Sequence, residues 1–286
     1  MPSNPDIQPG ALYIVATPIG NREDITLRAI KILGEVDIVA AEDTRHTGRF
    51  LAYHNIRANL VSYHEHNEAE RTPGLIRRLR SGASVALVSN AGTPSVSDPG
   101  YPLIKSAIEN DIPVIPVPGV SAAVTALSVA GLPTDSFVFV GFPARKKQKR
   151  LAQLERLADE ERTIVFYESP RRILTLLEEI VTIMGDRYGV LSREMTKLHE
   201  EFIRDFLSAI LHTLKGRPSI KGECTLLVSG SQGGKSINME IIRNELKEEL
   251  EKPGGSLSDI TKKVAKKHGL PKKAVYEEAL KLKGQI

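Results

Sequence analysis

The chain has 286 residues, of which 41% are hydrophobic and 26% charged, with a formal net charge of +4 and one cysteine. That length accommodates two α/β domains and a small appendage, and the composition excludes a disordered or fibrous chain. The single Cys224 excludes an internal disulfide and suits a reducing compartment, the cytosol.

The start, MPSNPDIQPG, is polar and proline-containing, so no secretory leader is expected. Short β-rich runs then alternate with amphipathic segments. Strands are predicted over Leu12–Ala16, Asp37–Ala41, Asn59–Ser62, Ser84–Val88, Ile112–Val117 and Phe137–Val140. Helical periodicity falls between them, over Ile25–Leu33, Glu68–Leu79 and Tyr101–Asn110. Such alternation specifies a mostly parallel sheet with helices on both faces. The uncharged stretch from Ile112 to Thr134 is long enough to imitate a membrane span, but its four prolines break it into a buried strand, a loop and a buried helix over Val120–Gly131.

The pattern restarts after the basic connection Gly141–Arg150. It gives a strand over Thr163–Tyr167, a helix over Arg171–Met184, strands over Gly189–Arg193 and Glu201–Arg204, a helix over Phe206–Leu214 and a strand over Cys224–Val228. GSQGGKS (Gly230–Ser236) reads as a flexible joint. Three short helices are expected beyond it, over Asn238–Glu251, Leu257–His268 and Lys272–Lys283, in a pattern similar to a helix-turn-helix module. The division expected is residues 1–136, 137–230 and 236–286. The tail from Lys235 carries 12 Lys and Arg against 8 Asp and Glu, and RKKQKR (Arg145–Arg150) concentrates five more cations, so a polyanion partner is expected.

Three loops at carboxyl ends of predicted strands combine Gly and Pro: ATPIGN (Ala16–Asn21), SNAGTPSVSDPG (Ser89–Gly100) and PVPGVSAA (Pro116–Ala123). Ligands of open parallel sheets bind there, and the three together favour a pocket. None carries a dinucleotide or P-loop fingerprint, and GSQGGKS misses the P-loop spacing by one residue. One Cys and seven scattered His give no metal-ligand spacing, so no metal site is expected.

Taken in order, these loops together with AEDTRHTGRFL (Ala41–Leu51), SYHEHNE (Ser62–Glu68), FVGFPARK, FYESPRRI and KGECTLLV resemble the tetrapyrrole methylase superfamily, and within it the members that act on ribosomal RNA. The resemblance covers roughly residues 10–230, and the tail is similar to an extension that some members carry. It implies two α/β domains with S-adenosylmethionine bound in the cleft between them, usually in a homodimer. It implies 2′-O-methylation of the ribose of cytidine 1402 in the 16S rRNA of the 30S subunit, in the cytoplasm. Carried over by residue, the cofactor contacts are Pro18, Thr93, Val96, Ser121, Ala122 and Tyr167. Tetrapyrrole-methylating relatives usually place an aspartate where Thr93 stands, which argues against a corrin or porphyrin substrate.

Methyl transfer to a hydroxyl needs in-line alignment and removal of a proton. Asp43 or His64 is the expected base and Arg45 the expected contact to an RNA phosphate. The competing reading makes Asp43 a helix cap. Arg145, Lys146, Lys147, Lys149 and Arg150 are the expected RNA-binding cations. Tyr13, Tyr53 and Tyr63 suit base stacking, although packing is the commoner use of tyrosine. Two other functions stay open on the residues alone. One is methylation of a small tetrapyrrole, for which the basic stretches have no use. The other is a non-catalytic nucleic-acid-binding regulator in which the α/β part senses a ligand.

Overall fold

The computed structural model describes residues 7–231, 239–250 and 256–268, and positions 275, 276, 279, 280 and 282. The chain divides into two compact units: Met1–Val129 with Ser192–Glu201, and Ala130–Leu191 with Phe202–Ile286.

The first unit holds β1 (Leu12–Val15), α1 (Leu27–Glu35), β2 (Ile38–Ala41), α2 (Thr44–Tyr53), β3 (Leu60–Ser62), α3 (Glu68–Arg80), β4 (Val85–Val88), α4 (Tyr101–Glu109), β5 (Val114–Val117) and α5 (Ala122–Ala130). Its strands form one sheet in the order β3-β2-β4-β1-β5, parallel at every junction. The alternation of a strand sends successive side chains to opposite faces. Tyr13, Val15, Val39, Ala41, Ala86 and Val88 pack with Ala29, Ile32 and Leu33 of α1 and Leu51 of α2. Leu12, Ile38, Ala40, Val85 and Leu87 pack with Leu75, Ile76 and Leu79 of α3 and Leu103 and Ala107 of α4.

This division of helices follows from connectivity. From β1 the chain moves toward β3, and from β4 it moves back past β1 to β5. Right-handed crossovers in opposite directions place their helices on opposite faces. The reversal falls between β1 and β4, and ligands of such sheets bind beyond the carboxyl ends of the strands at a reversal of this kind.

The second unit holds β6 (Phe137–Gly141), α6 (Lys147–Arg156), β7 (Thr163–Glu168), α7 (Ile173–Met184), β8 (Tyr188–Arg193), β9 (Glu201–Phe206), α8 (Leu207–Lys215) and β10 (Cys224–Val228). The strand order is β6-β7-β10-β8-β9; β6 runs parallel to β7 and β10 antiparallel to it. Ile173, Leu176, Leu177, Ile180 and Met184 of α7 and Leu207, Ile210 and Leu214 of α8 cover this sheet with Leu154 of α6.

Beyond β10, α9 (Met239–Leu250) and α10 (Leu257–His268) match two of the expected tail helices. Leu246, Ile260, Val264, Ala265, Val275, Ala279 and Leu282 form an apolar cluster of their own. Most of the joint Gly230–Ser236, and much of the helix expected over Lys272–Lys283, lie outside the described residues. The main departure from the sequence reading is α6: Lys147–Arg150 are its first turn, not part of a connecting loop.

Candidate functional site

The three Gly- and Pro-bearing loops emerge from β1, β4 and β5, which are neighbours in the sheet. They are tied to one another. Thr17 and Gly92 exchange both backbone hydrogen bonds, at 2.8 and 3.0 Å, and the Thr17 hydroxyl donates to the Ser89 carbonyl at 3.1 Å. The Thr93 hydroxyl donates to the Val120 carbonyl at 3.4 Å. Gly119 lies so close to the first loop that a Cβ there would stand 2.9 Å from the Ala16 Cβ. Pro18, Thr93, Ser121 and Ala122 therefore belong to one knitted rim. Val96 stands on its turn with 43% of its surface exposed.

The loop Ser89–Gly100 is held in an unusual backbone. Ser95 and Ser97 both take φ of 66° and Gly100 takes 138°. Left-handed non-glycine residues are sparse and concentrate at functional sites. A side chain on Gly100 would also meet Leu87 Cδ2 at 2.8 Å. The far end of the first loop is anchored by residues distant in sequence: the Asn21 N–H donates to the Thr196 hydroxyl at 2.9 Å. Met195, Thr196 and Lys197, at the tip of the β8–β9 hairpin, press against Gly20 closely enough to leave no room for a Cβ. The sequence reading gave this tip no role; a short polar connection between two strands carries no signal of its destination.

A polar row continues along the same sheet edge, at the ends of β3, β2 and β4. Glu42, just past β2, accepts from the Asn90 N–H at 3.1 Å. Asp98 sits near Glu42, and its carboxyl is pushed up to about 7, first by burial and then by the Glu42 charge, against a hydrogen bond from Ser89. A carboxyl poised near neutrality in a cleft marks a functional candidate. It was missed because Asp-Pro-Gly reads as turn chemistry. Asn90 Oδ1 and His64 Nδ1 are buried without hydrogen-bond partners among the described residues, which leaves each able to meet a ligand.

Asp43 caps α2: its Oδ1 accepts from the N–H groups of Arg45 at 2.8 Å and His46 at 3.2 Å. Those bonds, His46 first and Arg45 second, hold its carboxyl below the ordinary range. This makes it a weak base, and of the two readings the cap is the one its geometry fulfils. Arg45 is 86% exposed, with its Nε 3.7 Å from Asp43. Tyr13 and Tyr63 are buried in the core, and the Tyr63 hydroxyl pairs with Thr72. Neither is available for stacking, whereas Tyr53 is exposed.

In the second unit, Tyr167 packs edge-on against Phe139 and Phe142, with ring centroids 5.0 and 5.6 Å apart. The expected RNA-binding cations separate into two kinds. Arg145, Lys146, Lys147 and Lys149 are exposed. Arg150 is turned inward, with its guanidinium bonded bidentately to Glu179 at 2.5 and 2.8 Å and to the carbonyls of Ala144 and Arg145. It is a structural ion pair and not a phosphate contact. Helical periodicity turned one member of the basic run into the core, which the sequence reading missed with α6 itself.

Among the described residues, no group of three or more His, Cys, Asp or Glu could hold a metal ion, and no helix is long and apolar enough to cross a membrane.

A doubly wound parallel sheet with three knitted loops at its switch point, followed by a second five-stranded mixed sheet, defines a two-domain α/β class. The family of Tetrapyrrole (Corrin/Porphyrin) Methylases matches residues 11–211. The chain is 44% identical over 269 residues to a ribosomal RNA small subunit methyltransferase I of Micromonospora olivasterospora, covering 94% of this chain and 86% of the relative. It is 43% identical over 286 residues to the protein of that name from Escherichia coli O157:H7, covering 98% of each. Among solved structures, the methyltransferase CobJ superposes with a TM-score of 0.60 at 17% identity, over 78% of this chain and 95% of that one. A Thermus thermophilus uroporphyrin-III C-methyltransferase complexed with S-adenosylhomocysteine gives 0.55 at 20% identity, over 77% and 97%. The chain belongs to the tetrapyrrole methylase family. It is a methyltransferase.

Proposed function

We propose that this enzyme methylates the ribose 2′-hydroxyl of a cytidine in 16S rRNA, cytidine 1402, as a cytoplasmic homodimer acting on the 30S subunit. The observation that carries the reading is the knitting together of three loops at the carboxyl ends of β1, β4 and β5, in a chain whose near full-length relatives are named for ribosomal RNA. The exposed Arg145, Lys146, Lys147 and Lys149 support a polyanionic substrate, because phosphate contacts supply affinity and salt dependence. For the homodimer, the exposed apolar side chains Tyr101, Ile108, Val124 and Val129 are the surface proposed for burial.

The residues present fit S-adenosylmethionine. Ser121 and Ala122 carry small side chains, and Gly119 lets their loop pack directly on Ala16, so the backbone offered to the group is fixed. Glu42 and Asp98 offer negative charge to a cationic ligand. The group, when bound, supplies an electrophilic methyl on a sulfonium centre. Pro18, Thr93, Val96, Ser121 and Ala122 hold it in our reading.

His64 takes the hydroxyl proton in the proposed reaction, at its unpartnered Nδ1, on the same sheet edge as the cofactor loops. Arg45 contacts a phosphate. Asp43 fixes the start of α2 and with it the direction of Arg45. Rigid placement of both reactants supplies most of the rate enhancement in this scheme.

The test is label transfer from methyl-tritiated S-adenosylmethionine to undermodified 30S subunits, naked 16S rRNA and a tetrapyrrole precursor in parallel. Label in the ribose of a 16S cytidine is expected. Label in the tetrapyrrole alone overturns the substrate, and cofactor binding with no label anywhere returns the protein to the sensor reading.

A further inference from the structure

The second unit carries an open concave site of about 740 Å³, lined by Phe139 and Val140 of β6, by Ala144, and by Lys149, Ala152, Gln153, Arg156 and Leu157 along α6. Its volume lies within the range of small-ligand sites, about 300–1,000 Å³. Lys149, Gln153 and Arg156 are spaced four and three residues apart, which puts them on one helix face. Val140 and Leu157 also pack against the core of this unit, so the floor is fixed.

The polar groups on this face are aimed outward. Gln153 accepts from the Ala144 N–H through Oε1, which leaves its amide to act as a donor. Arg156 ties Nε to the Ala152 carbonyl at 3.1 Å, which leaves the two terminal nitrogens of its guanidinium. Lys149 and Arg156 are exposed. Among the described residues neither forms an ion pair, in contrast with Arg150, which is turned about a quarter of the way round the helix and buried. The two cations lie about 10 Å apart along the helix, too far to share one anion.

Two separated cations, a fixed apolar and aromatic floor and an amide donor form the recognition chemistry of a single-stranded nucleic acid. We propose that this groove seats one unpaired nucleotide of the RNA substrate, with its base on Phe139, Ala144 and Ala152 and its two flanking phosphates on Lys149 and Arg156. The inference rests on the RNA substrate proposed above and adds a defined subsite to it.

The test is fluorescence anisotropy of the full-length protein with a labelled short single-stranded ribo-oligonucleotide over a range of salt concentrations. Ala152→Trp fills the groove from an exposed helix position without changing charge. It is expected to weaken oligonucleotide binding about tenfold, with the salt slope, the S-adenosylhomocysteine affinity and the thermal midpoint unchanged. The Lys149→Ala/Arg156→Ala double variant is expected to flatten the slope of log K against log salt by about 1.4, two phosphates at about 0.7 each for single strands.

Wild-type binding by Ala152→Trp overturns the proposal, since the cations then act as an unshaped patch. An equal loss of a polyglutamate peptide in Ala152→Trp overturns it as well, in favour of an acidic protein partner. Failure of the RNA-methylation reading shows separately, as absence of ribose label from the wild-type enzyme.

Discussion

Asp98→Asn is the most informative single change in the pocket. The Asp98 carboxyl titrates at about 7 in the folded protein against an ordinary 3.8. It is protonated in both folded and unfolded states below pH 4, so it contributes no difference there. Between about pH 4 and 7 the unfolded chain has lost the proton and the folded chain keeps it, so stability falls as pH rises, and above 7 the loss is complete. A shift of about three units corresponds to about 4 kcal/mol at about 1.4 kcal/mol per unit. The group is only partly buried, and solvent screening reduces this to about 1–2 kcal/mol. Asparagine keeps the shape and removes the charge. The variant is therefore expected to unfold near the wild-type midpoint at pH 4 and about 2–6 °C higher at pH 8, read by circular dichroism. It is also expected to bind S-adenosylmethionine about tenfold more weakly, since stored electrostatic strain is relieved at the expense of function. An equal change at both pH values, or destabilisation at pH 8, would refute the argument.

Wild-type affinity for S-adenosylmethionine should rise as pH is taken from 6 to 8, because the cation binds the ionised form of Asp98; a flat profile by calorimetry removes Asp98 from the site. Gly119→Ala drives a Cβ to 2.9 Å from that of Ala16, so it should lower cofactor affinity and cost about 1–3 kcal/mol of stability, with unchanged affinity showing that the loops move apart freely. Arg150→Ala leaves the buried carboxylate of Glu179 unpaired and should destabilise the second unit by about 3–5 kcal/mol, while Lys149→Ala changes the salt slope of RNA binding with little effect on stability. Removal of Lys235–Ile286 should weaken RNA binding and spare S-adenosylhomocysteine affinity, measured by calorimetry on the truncated protein.

Most of the architecture was legible because hydrophobic period and turn chemistry agree. Cys224–Val228 and Leu257–His268 fall at their expected bounds, and the strands of the first sheet within two residues of theirs. The gathering of three loops at one sheet edge was legible for the same reason, since Gly and Pro crowd the ends of adjacent strands. The helix α6 was not, because its first turn reads as a charge run and Arg150 looks like its neighbours until Glu179, distant in sequence, pairs with it. Asp98 was hidden by its own turn, and its perturbation comes first from burial and then from Glu42, which follows another strand. Long-range pairings of this kind leave no local trace.

The anchor of Asn21 on Thr196 has a consequence for biosynthesis. All five strands of the first sheet are made by Val117, but Ser192–Glu201 completes that unit much later in the chain. A nascent chain released at Val129 would own all three Gly- and Pro-bearing loops and still lack the clamp that fixes Gly20 and Asn21. The emerging protein can thus fold its sheet early yet fix the end of its first loop only after Ala130–Leu191 of the second unit has been synthesised.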